Sequence, residues 1–185
     1  MHLCKQPQED KKIERKSNCG FSGFTCNFSR CSPVLFANFS FYEEVIPNGT
    51  TDVAIVEKKT ELPEVIDYSN FHAITSESSP IRYRACFETS EDLNDLRNRY
   101  LVYEGAEPKI APYWFECFNA EDLGFSLADG AKGEVFLSKK NIMYGVDRVV
   151  AILDNGKGYI WHEINDCGDK LYDGSPVSNE CPKRD

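Results

Sequence analysis

The sequence predicts an α+β fold: a mostly antiparallel sheet with two short helices and a C-terminal β-hairpin. Three observations support this class. Short segments with alternating apolar residues indicate strands, two helical patterns follow one another in the middle of the chain, and tight turns join the last strands. Because strands that are linked by hairpins pair antiparallel, this order favours an α+β fold over a doubly wound parallel sheet.

The length of 185 residues favours one domain with some peripheral chain. An apolar fraction of 41%, with 12% aromatic residues, is sufficient for a packed core and argues against global disorder. Residues 1–33 are first charged and then rich in Phe, Ser, Cys and Asn, and they follow neither a helical nor a strand period. We therefore expect a poorly ordered, Cys-containing arm over residues 1–33 and a single α+β domain over residues 34–185.

The first part of the domain predicts strands. Residues 51–57 place Val53 and Ile55 on one face, and residues 65–74 alternate weakly. Residues 81–87 form the clearest strand. Its one face carries Ile81, Tyr83, Ala85 and Phe87, and its other face carries Arg82, Arg84 and Cys86.

Two helices are expected next. Thr89 or Ser90 can cap the first helix. The apolar stripe of this helix consists of Leu93, Leu96 and Tyr100. Residues 111–118 are dense in aromatic side chains and are expected in the core. Asn119 can cap the second helix, which should end near Gly130.

The C-terminal part predicts a strand and a hairpin. Residues 134–138 form the strand, and residues 147–153 and 158–164 flank a turn at residues 154–157. Alternation places Val149, Ala151 and Leu153 on one face of the first strand. It likewise places Tyr159, Trp161 and Glu163 on one face of the partner strand. The tail from Cys167 is rich in Gly, Asp, Pro and Ser, so we expect a surface loop unless a disulfide closes it.

Charge and motifs argue against several classes of function. The net charge of −9 argues against a nucleic-acid partner, which would require clustered Lys and Arg. The sequence contains no paired C-x-x-C, no H-E-x-x-H and no Gly-rich loop that leads into a helix, so we expect neither a metal nor a cofactor. The longest apolar run, residues 34–42, is shorter than the roughly 20 residues of a membrane span. The first residues also lack the apolar core of a signal peptide.

The eight cysteines favour disulfides and therefore an oxidising compartment. Four of them, Cys86, Cys117, Cys167 and Cys181, lie in the predicted domain and permit three pairings. A bond between Cys167 and Cys181 would close the tail into a loop, which in the chain-entropy model contributes about 3 kcal/mol. A bond between Cys86 and Cys117 would connect the clearest strand to the aromatic segment. The alternative is that Cys86 and Cys117 are small buried thiols.

Arginines on the predicted strands are the candidate ligand-binding residues. Arg82 and Arg84 share a strand face in this interpretation, and Arg148 can join them from the hairpin. Guanidinium groups bind carboxylate or phosphate in bidentate fashion, whereas the alternative is pairing with surface acids. His162 completes the candidate set. Its neighbour Glu163 points to the opposite face of the strand, so the two cannot act as a direct acid–base pair.

Three segments resemble a known family: SSPIRYRACF (78–87), YEGAEPKIAPYWFECFNA (103–120) and NIMYGVDRVVAILDNGKGYIWHEINDCGD (141–169). Together they are similar to an uncharacterised family of small alphaproteobacterial proteins, classed as a domain of unknown function, over roughly residues 40–182. Some members carry the label histidine kinase. The sequence does not support that label, because it has neither a dimerisation helix around a phospho-accepting His nor a Gly-rich nucleotide box.

The resemblance implies a single membrane-spanning helix followed by a domain on the periplasmic face of the inner membrane. That placement would agree with disulfides. Where the anchor would stand, this sequence has residues 1–33. One hypothesis is a misassigned start or a reading-frame slip, and the other is a genuine soluble variant, which would be cytoplasmic if the chain starts at Met1 without an anchor.

Two functions follow as expectations. The first is a non-enzymatic, extracytoplasmic domain, normally tethered to the inner membrane, that binds a protein or a small ligand. The second is an enzyme of unrecognised type that uses the region of Arg82, Arg84, Arg148 and His162. Geometry discriminates between them: convergence of these side chains in one cleft with an acidic or Cys partner favours the enzyme, and their distribution over different faces favours binding.

Overall fold

The computed structural model of this chain describes residues 42–130, 132–176, 178 and 181–182. The arm predicted over residues 1–33 lies outside the described residues. The described chain contains eight strands: β1 (Glu43–Val45), β2 (Ala54–Val56), β3 (Pro63–Val65), β4 (Ser69–Thr75), β5 (Arg84–Glu88), β6 (Gly133–Met143), β7 (Val146–Leu153) and β8 (Lys157–Ile164). It also contains a 3₁₀ turn (Pro80–Arg82) and two α-helices, α1 (Leu93–Arg99) and α2 (Ala120–Ala128).

Six strands form one sheet in the order β1-β4-β5-β8-β7-β6, and β2 pairs with β3 in a second, smaller sheet. Every neighbouring pair is antiparallel. The α+β class, the mostly antiparallel sheet, the two short helices and the C-terminal hairpin are therefore confirmed.

The two faces of the large sheet pack against separate cores, here called the first and second face. The first face carries Ala85, Phe87, Val150, Ile152 and Ile160, which pack with Val53, Ile55, Leu96 and Tyr100. The second face carries Cys86, Val149, Ala151 and Trp161, which pack with Phe118 and Leu123. Because both faces are covered, β7 and β8 are apolar on consecutive residues in their centres rather than strictly alternating.

The hairpin between β7 and β8 forms as predicted. Gly156 has a φ of 80°, and its amide donates to the Leu153 carbonyl at 3.0 Å. Glycine adopts this left-handed conformation at no steric cost, whereas most residues with a side chain are strained there. A side chain there would also collide with the carbonyl of Thr89, so the turn fixes the hairpin against the end of β5.

Helix capping is confirmed at one helix and wrong at the other. Asn119 caps α2 through bonds from the amides of Glu121 and Asp122. The cap of α1 is Asp92, not Thr89 or Ser90. The Thr89 hydroxyl donates to the carbonyl of Asp67 and accepts from the Glu91 amide, so Thr89 lies before the helix and not at its first turn.

The predicted strand over residues 81–87 begins later than expected. Pro80 starts a 3₁₀ turn that includes Arg82, whose amide donates to the Ser79 carbonyl at 3.1 Å. Arg82 therefore does not share a strand face with Arg84. The aromatic segment 111–118 also differs from its prediction, because only Phe118 is fully buried, whereas Tyr113 is 64% exposed.

The cysteines of the domain form two disulfides, Cys86–Cys117 and Cys167–Cys181, with Cα–Cα distances of 6.2 and 5.5 Å. The first connects β5 to the segment before α2, and the second closes the C-terminal tail. Disulfides persist in oxidising environments, so they indicate an extracytoplasmic setting for this domain. Among the described helices, none is long and apolar enough to cross a bilayer.

Candidate functional site

The four candidate residues do not converge in one cleft. Arg148 and His162 are register partners on β7 and β8, and their side chains lie on the first face of the sheet. Arg84 lies on the second face, next to Phe118. Arg82 belongs to the 3₁₀ turn. Two of the four residues therefore form one cluster, and the others occupy different environments.

Arg84 is a structural residue in this fold. It is 4% exposed, and its guanidinium donates to the carbonyls of Ile81 and Tyr83 at 2.6 and 2.7 Å. It also donates to the carbonyls of Lys109 and Ile110 at 2.9 and 3.2 Å. Burial lowers the pKa of Arg84 to about 10, so the group is still charged at neutral pH. Its donors connect residues 109–110 to the start of β5.

Arg82 is also engaged locally. Its guanidinium donates to the Ser78 hydroxyl at 3.1 Å and lies 5.9 Å from the centroid of the Tyr42 ring. These contacts hold the 3₁₀ turn against neighbouring residues. Arg82 therefore lies near the sheet but not among the side chains of Arg148 and His162 on β7 and β8.

His162 is held in one tautomer by two contacts. Its Nδ1 lies 2.5 Å from the Pro80 carbonyl, and its Nε2 lies 3.0 Å from Nε of Arg148. The pKa of His162 is lowered to about 4, chiefly by burial and also by the positive charges of Arg148 and Arg84, whereas the bond to Pro80 opposes the shift. The neutral ring therefore donates from Nδ1 to Pro80 and accepts at Nε2 from Arg148. Both ring nitrogens are engaged within the protein.

Arg148 is oriented by its neighbours rather than by a counter-charge. Its guanidinium carbon lies 4.3 Å from the Tyr83 ring centroid, and His162 stacks on the same ring at 4.9 Å with an interplanar angle of 11°. Burial lowers the pKa of Arg148, and the Tyr83 phenol opposes that effect. Among the ion pairs of the described residues, none includes Arg148. Only its Nε takes part in a side-chain hydrogen bond there.

A bulge in β6 places a second cation, Lys139, beside Arg148 and His162. Leu137 is opposite Val149, but Lys139 is opposite Arg148, so Ser138 is an extra residue on β6. Register partners place their side chains on the same face, with Cβ atoms about 5 Å apart. The resulting row crosses three strands and ends at the stacked ring of Tyr83. We call the four residues Lys139, Arg148, His162 and Tyr83 the Arg148 cluster.

Acidic side chains occupy the other face at the same end of the sheet. Asp147 and Glu163 are register partners and are 3% and 8% exposed. They line an open cleft of about 650 Å³, together with Tyr103, Asn141 and Asn165. As expected from strand alternation, Glu163 and His162 point to opposite faces.

Both buried carboxylates are occupied by protein donors. Asp147 accepts from the Asn141 amide at 2.7 Å and from the Asn165 side chain at 2.6 Å. Glu163 accepts from the Trp161 indole at 2.9 Å and forms an ion pair with Lys109 at 2.6 Å. These carboxylates therefore connect loops to the sheet.

The rim of the acidic cleft contributes a phenol. Burial raises the pKa of Tyr103 to about 12, and the charges of Asp147 and Glu163 contribute to the same shift. Tyr103 is therefore protonated at neutral pH and can donate towards Asp147, from which it is 3.4 Å away. Within the described part of the chain, no group of His, Cys, Asp and Glu has an arrangement that would hold a metal ion.

Lys139 could not be predicted from the sequence, because a bulge changes which residue of β6 faces Arg148. Tyr83 was predicted on the same face as Ala85 and Phe87 but not as a partner of Arg148. The one signal that pointed to this region was the alternation in the hairpin. That alternation places Arg148 and His162 on a common face, away from Val149 and Trp161.

Comparison with known proteins identifies a family but no function. The model of one family, described as a family of unknown function (DUF6446), matches residues 53–182. No curated protein and no solved structure gives a significant match. Because the matched region covers most of the chain, the protein belongs to this family.

Proposed function

We propose that this member of DUF6446 is a non-catalytic, extracytoplasmic binding domain that holds an anionic group of its ligand at the Arg148 cluster. One observation carries the proposal. Arg148 is oriented by His162 and Tyr83, whereas the ion pairs of the described residues leave it without a carboxylate.

The orientation of Arg148 reduces the cost of binding. A long side chain usually loses conformational freedom when it grips a ligand, at about 0.5–1.5 kcal/mol per side chain. Here the stacked Tyr83 ring and the bond from Nε to His162 already restrict the guanidinium. The outer amino groups of a guanidinium are the pair that binds a carboxylate or a phosphate in bidentate fashion.

The net charge of −9 makes this cluster distinctive. A strongly acidic protein repels anions over most of its surface, so an anion binds only where local cations outweigh the distant charges. Arg148 and its register partner Lys139 are two adjacent cations on one face. Among the described residues, they therefore form a local concentration of positive charge that attracts an anionic ligand.

The placement of the other candidates supports binding over catalysis. Both nitrogens of His162 are engaged, and Arg84 donates to four backbone carbonyls on the opposite face. A general base must be able to reach a substrate proton. In this arrangement His162 acts instead as a positioning residue for Arg148.

The proposed location rests on the disulfides and on the resemblance. Disulfides Cys86–Cys117 and Cys167–Cys181 favour an oxidising compartment. The resemblance implies an inner-membrane tether and a domain on its periplasmic face. We expect protein isolated from its native cells to resist thiol alkylation at these four cysteines until reductant is added. Alkylation of all four without reductant would contradict an extracytoplasmic location.

Ligand binding is tested with the full chain by following ¹⁵N amide shifts during titration with sodium phosphate and with sodium acetate at low ionic strength. We expect saturable shifts on β7 and β8 with at least one anion, and loss of those shifts in Arg148→Gln. Arg99→Gln is the matched control, because Arg99 forms an exposed ion pair with Glu64 on another part of the surface. Equal binding by Arg148→Gln and the unmodified chain would refute the proposed site.

A further inference from the structure

The bulge in β6 gives the Arg148 cluster a second cation, and this addition bears on which anion it binds. Ser138 and Lys139 together oppose Arg148, because one extra residue separates the pair Leu137–Val149 from the pair Lys139–Arg148. In a bulge of this kind, two residues of one strand face a single residue of its partner. Without the extra residue, Lys139 would share the second face with Leu137.

We propose that the ligand group is a phosphate, held jointly by the guanidinium of Arg148 and the ammonium of Lys139; this inference rests on the proposed function of the Arg148 cluster. A planar carboxylate has two oxygens, and one guanidinium fork satisfies both of them. A phosphate monoester has three peripheral oxygens and a charge of about −1.5 to −2 at neutral pH. It therefore retains an oxygen and a charge for a second cation.

The two cations have complementary chemistry. Arg148 is restricted by His162 and Tyr83 and supplies a fixed planar fork. Lys139 is exposed and supplies a mobile point charge with three donors. No ion pair of the described residues occupies Lys139. A rigid fork next to a mobile ammonium suits a tetrahedral group, since the ammonium can follow the oxygen that the fork leaves free.

The neighbouring acidic groups do not cancel this site. Asp147 and Glu163 lie on the opposite face and are engaged by Asn165 and Lys109. Asp52, whose charge acts on Tyr83, accepts from the Tyr68 hydroxyl and from the amides of Asn48 and Gly49. His162 presents only its neutral ring to Arg148. The row from Lys139 to Tyr83 therefore carries two positive charges and no carboxylate of its own.

The test compares Lys139→Gln with Lys140→Gln in the full chain. Lys140 is the matched control, since it is an adjacent exposed lysine that lines the acidic cleft on the second face. We expect the unmodified chain to bind inorganic phosphate more tightly than acetate. Lys139→Gln should weaken phosphate binding about fivefold and acetate binding by no more than about twofold, and Lys140→Gln should change neither by more than about twofold.

The outcomes separate the two proposals. If Arg148→Gln abolishes phosphate binding but Lys139→Gln has no effect, the two-cation site is refuted and the anion-binding function survives. If acetate binds as tightly as phosphate, the preference for phosphate is refuted. If Arg148→Gln affects neither anion, the proposed function itself fails. Lys139→Arg keeps the charge and should retain phosphate binding, which distinguishes lost charge from a disturbed bulge.

Two further arms identify the source of the phosphate. Glycerol phosphate presents a soluble monoester, and vesicles that contain phosphatidic acid present a monoester on a lipid headgroup, beside vesicles of phosphatidylcholine alone. Binding of the monoester that depends on Lys139 supports a soluble ligand. Binding to the anionic vesicles alone, with the same dependence on Lys139, supports a headgroup. Failure of inorganic phosphate, monoester and vesicles alike overturns the inference.

Discussion

Replacement of Arg84 tests whether its charge serves the fold rather than a ligand. Its guanidinium donates to four backbone carbonyls, those of Ile81, Tyr83, Lys109 and Ile110. In Arg84→Met the stem of the side chain is roughly preserved, but all four donors are lost. We expect this variant to be strongly destabilised.

The expected destabilisation of Arg84→Met is the difference between the hydrogen bonds that are lost and the desolvation cost that is recovered. A hydrogen bond to a charged group contributes about 1.5–3 kcal/mol, so the four bonds together contribute about 6 kcal/mol or more. Removing the buried charge recovers its desolvation cost. Burial lowers the pKa of Arg84 from 12.5 to about 10, which corresponds to about 3 kcal/mol. The net loss of unfolding free energy in Arg84→Met is therefore about 3 kcal/mol or more.

Arg84→Lys sharpens the test. Lysine keeps the buried charge and hence its desolvation cost, but it has three donors and no planar fork. It should therefore be no more stable than Arg84→Met, although lysine is chemically closer to arginine. Urea unfolding measures both variants beside Arg99→Met, whose exposed ion pair with Glu64 is worth about 0–1 kcal/mol. If Arg84→Met lowers the free energy of unfolding by less than about 1 kcal/mol, Arg84 does not stabilise the fold through these four hydrogen bonds.

Three further outcomes are expected. The folded protein should lose about 3 kcal/mol of stability as the pH falls from about 6.5 to about 4, because burial holds the pKa of His162 at about 4 and the unfolded chain then binds the extra proton. In urea unfolding at several pH values, the free energy of unfolding should depend less steeply on pH in His162→Gln than in the control His72→Gln. Equal pH dependence in the two variants would contradict this origin. Removing Cys86–Cys117, which spans 31 residues, should lower the free energy of unfolding by about 4 kcal/mol, and removing Cys167–Cys181, which spans 14, by about 3 kcal/mol. Urea midpoints of the paired Cys→Ser variants measure this ranking. A larger loss of stability on removal of Cys167–Cys181 would overturn it. Gly158→Ala should lower the free energy of unfolding by about 1–3 kcal/mol, because the added methyl overlaps the Phe87 ring. Phe87→Leu in the same chain should recover part of that loss. If the two substitutions destabilise the protein additively in thermal unfolding, the overlap is not the cause.

Local patterns predicted the elements that local interactions determine. The stripe of α1, the Asn119 cap of α2 and the β7–β8 hairpin each depend on residues a few positions apart, so their sequence signals are complete. The fold class followed from these elements, since hairpins at the end of the chain require antiparallel pairing.

The errors arose where a distant contact decides the local structure. Thr89 has the chemistry of a helix cap, but bonds to the carbonyls of Gly156 and Asp67, which are distant in sequence, hold it before the helix. Alternation over residues 81–87 suggested one strand, but Pro80 begins a 3₁₀ turn whose carbonyl binds His162, which is 82 residues further along the chain. These contacts cannot be predicted from residues that are close in sequence.

The candidate site was only half predictable for the same reason. The hairpin register placed Arg148 beside His162, as alternation indicates. The bulge at Ser138, which brings Lys139 opposite Arg148, leaves no periodic trace, because a single extra residue resembles an ordinary polar position in a strand. Arg84 appeared equivalent to Arg148 in sequence, yet the structure places it on the second face among backbone carbonyls.

Two adjacent dipeptides explain why charges of opposite sign separate so sharply at this end of the sheet. In Asp147-Arg148 and His162-Glu163, consecutive residues point to opposite faces, and the register pairs Arg148 with His162 and Asp147 with Glu163. A slip of one residue would put the arginine into the second core beside Trp161 and the carboxylates against Tyr83. Each arrangement would bury a charge without its partners, at a cost of several kcal/mol. The charges therefore help to fix the register, and the same register places Arg148 beside the neutral rings of His162 and Tyr83, as the proposed anion site requires.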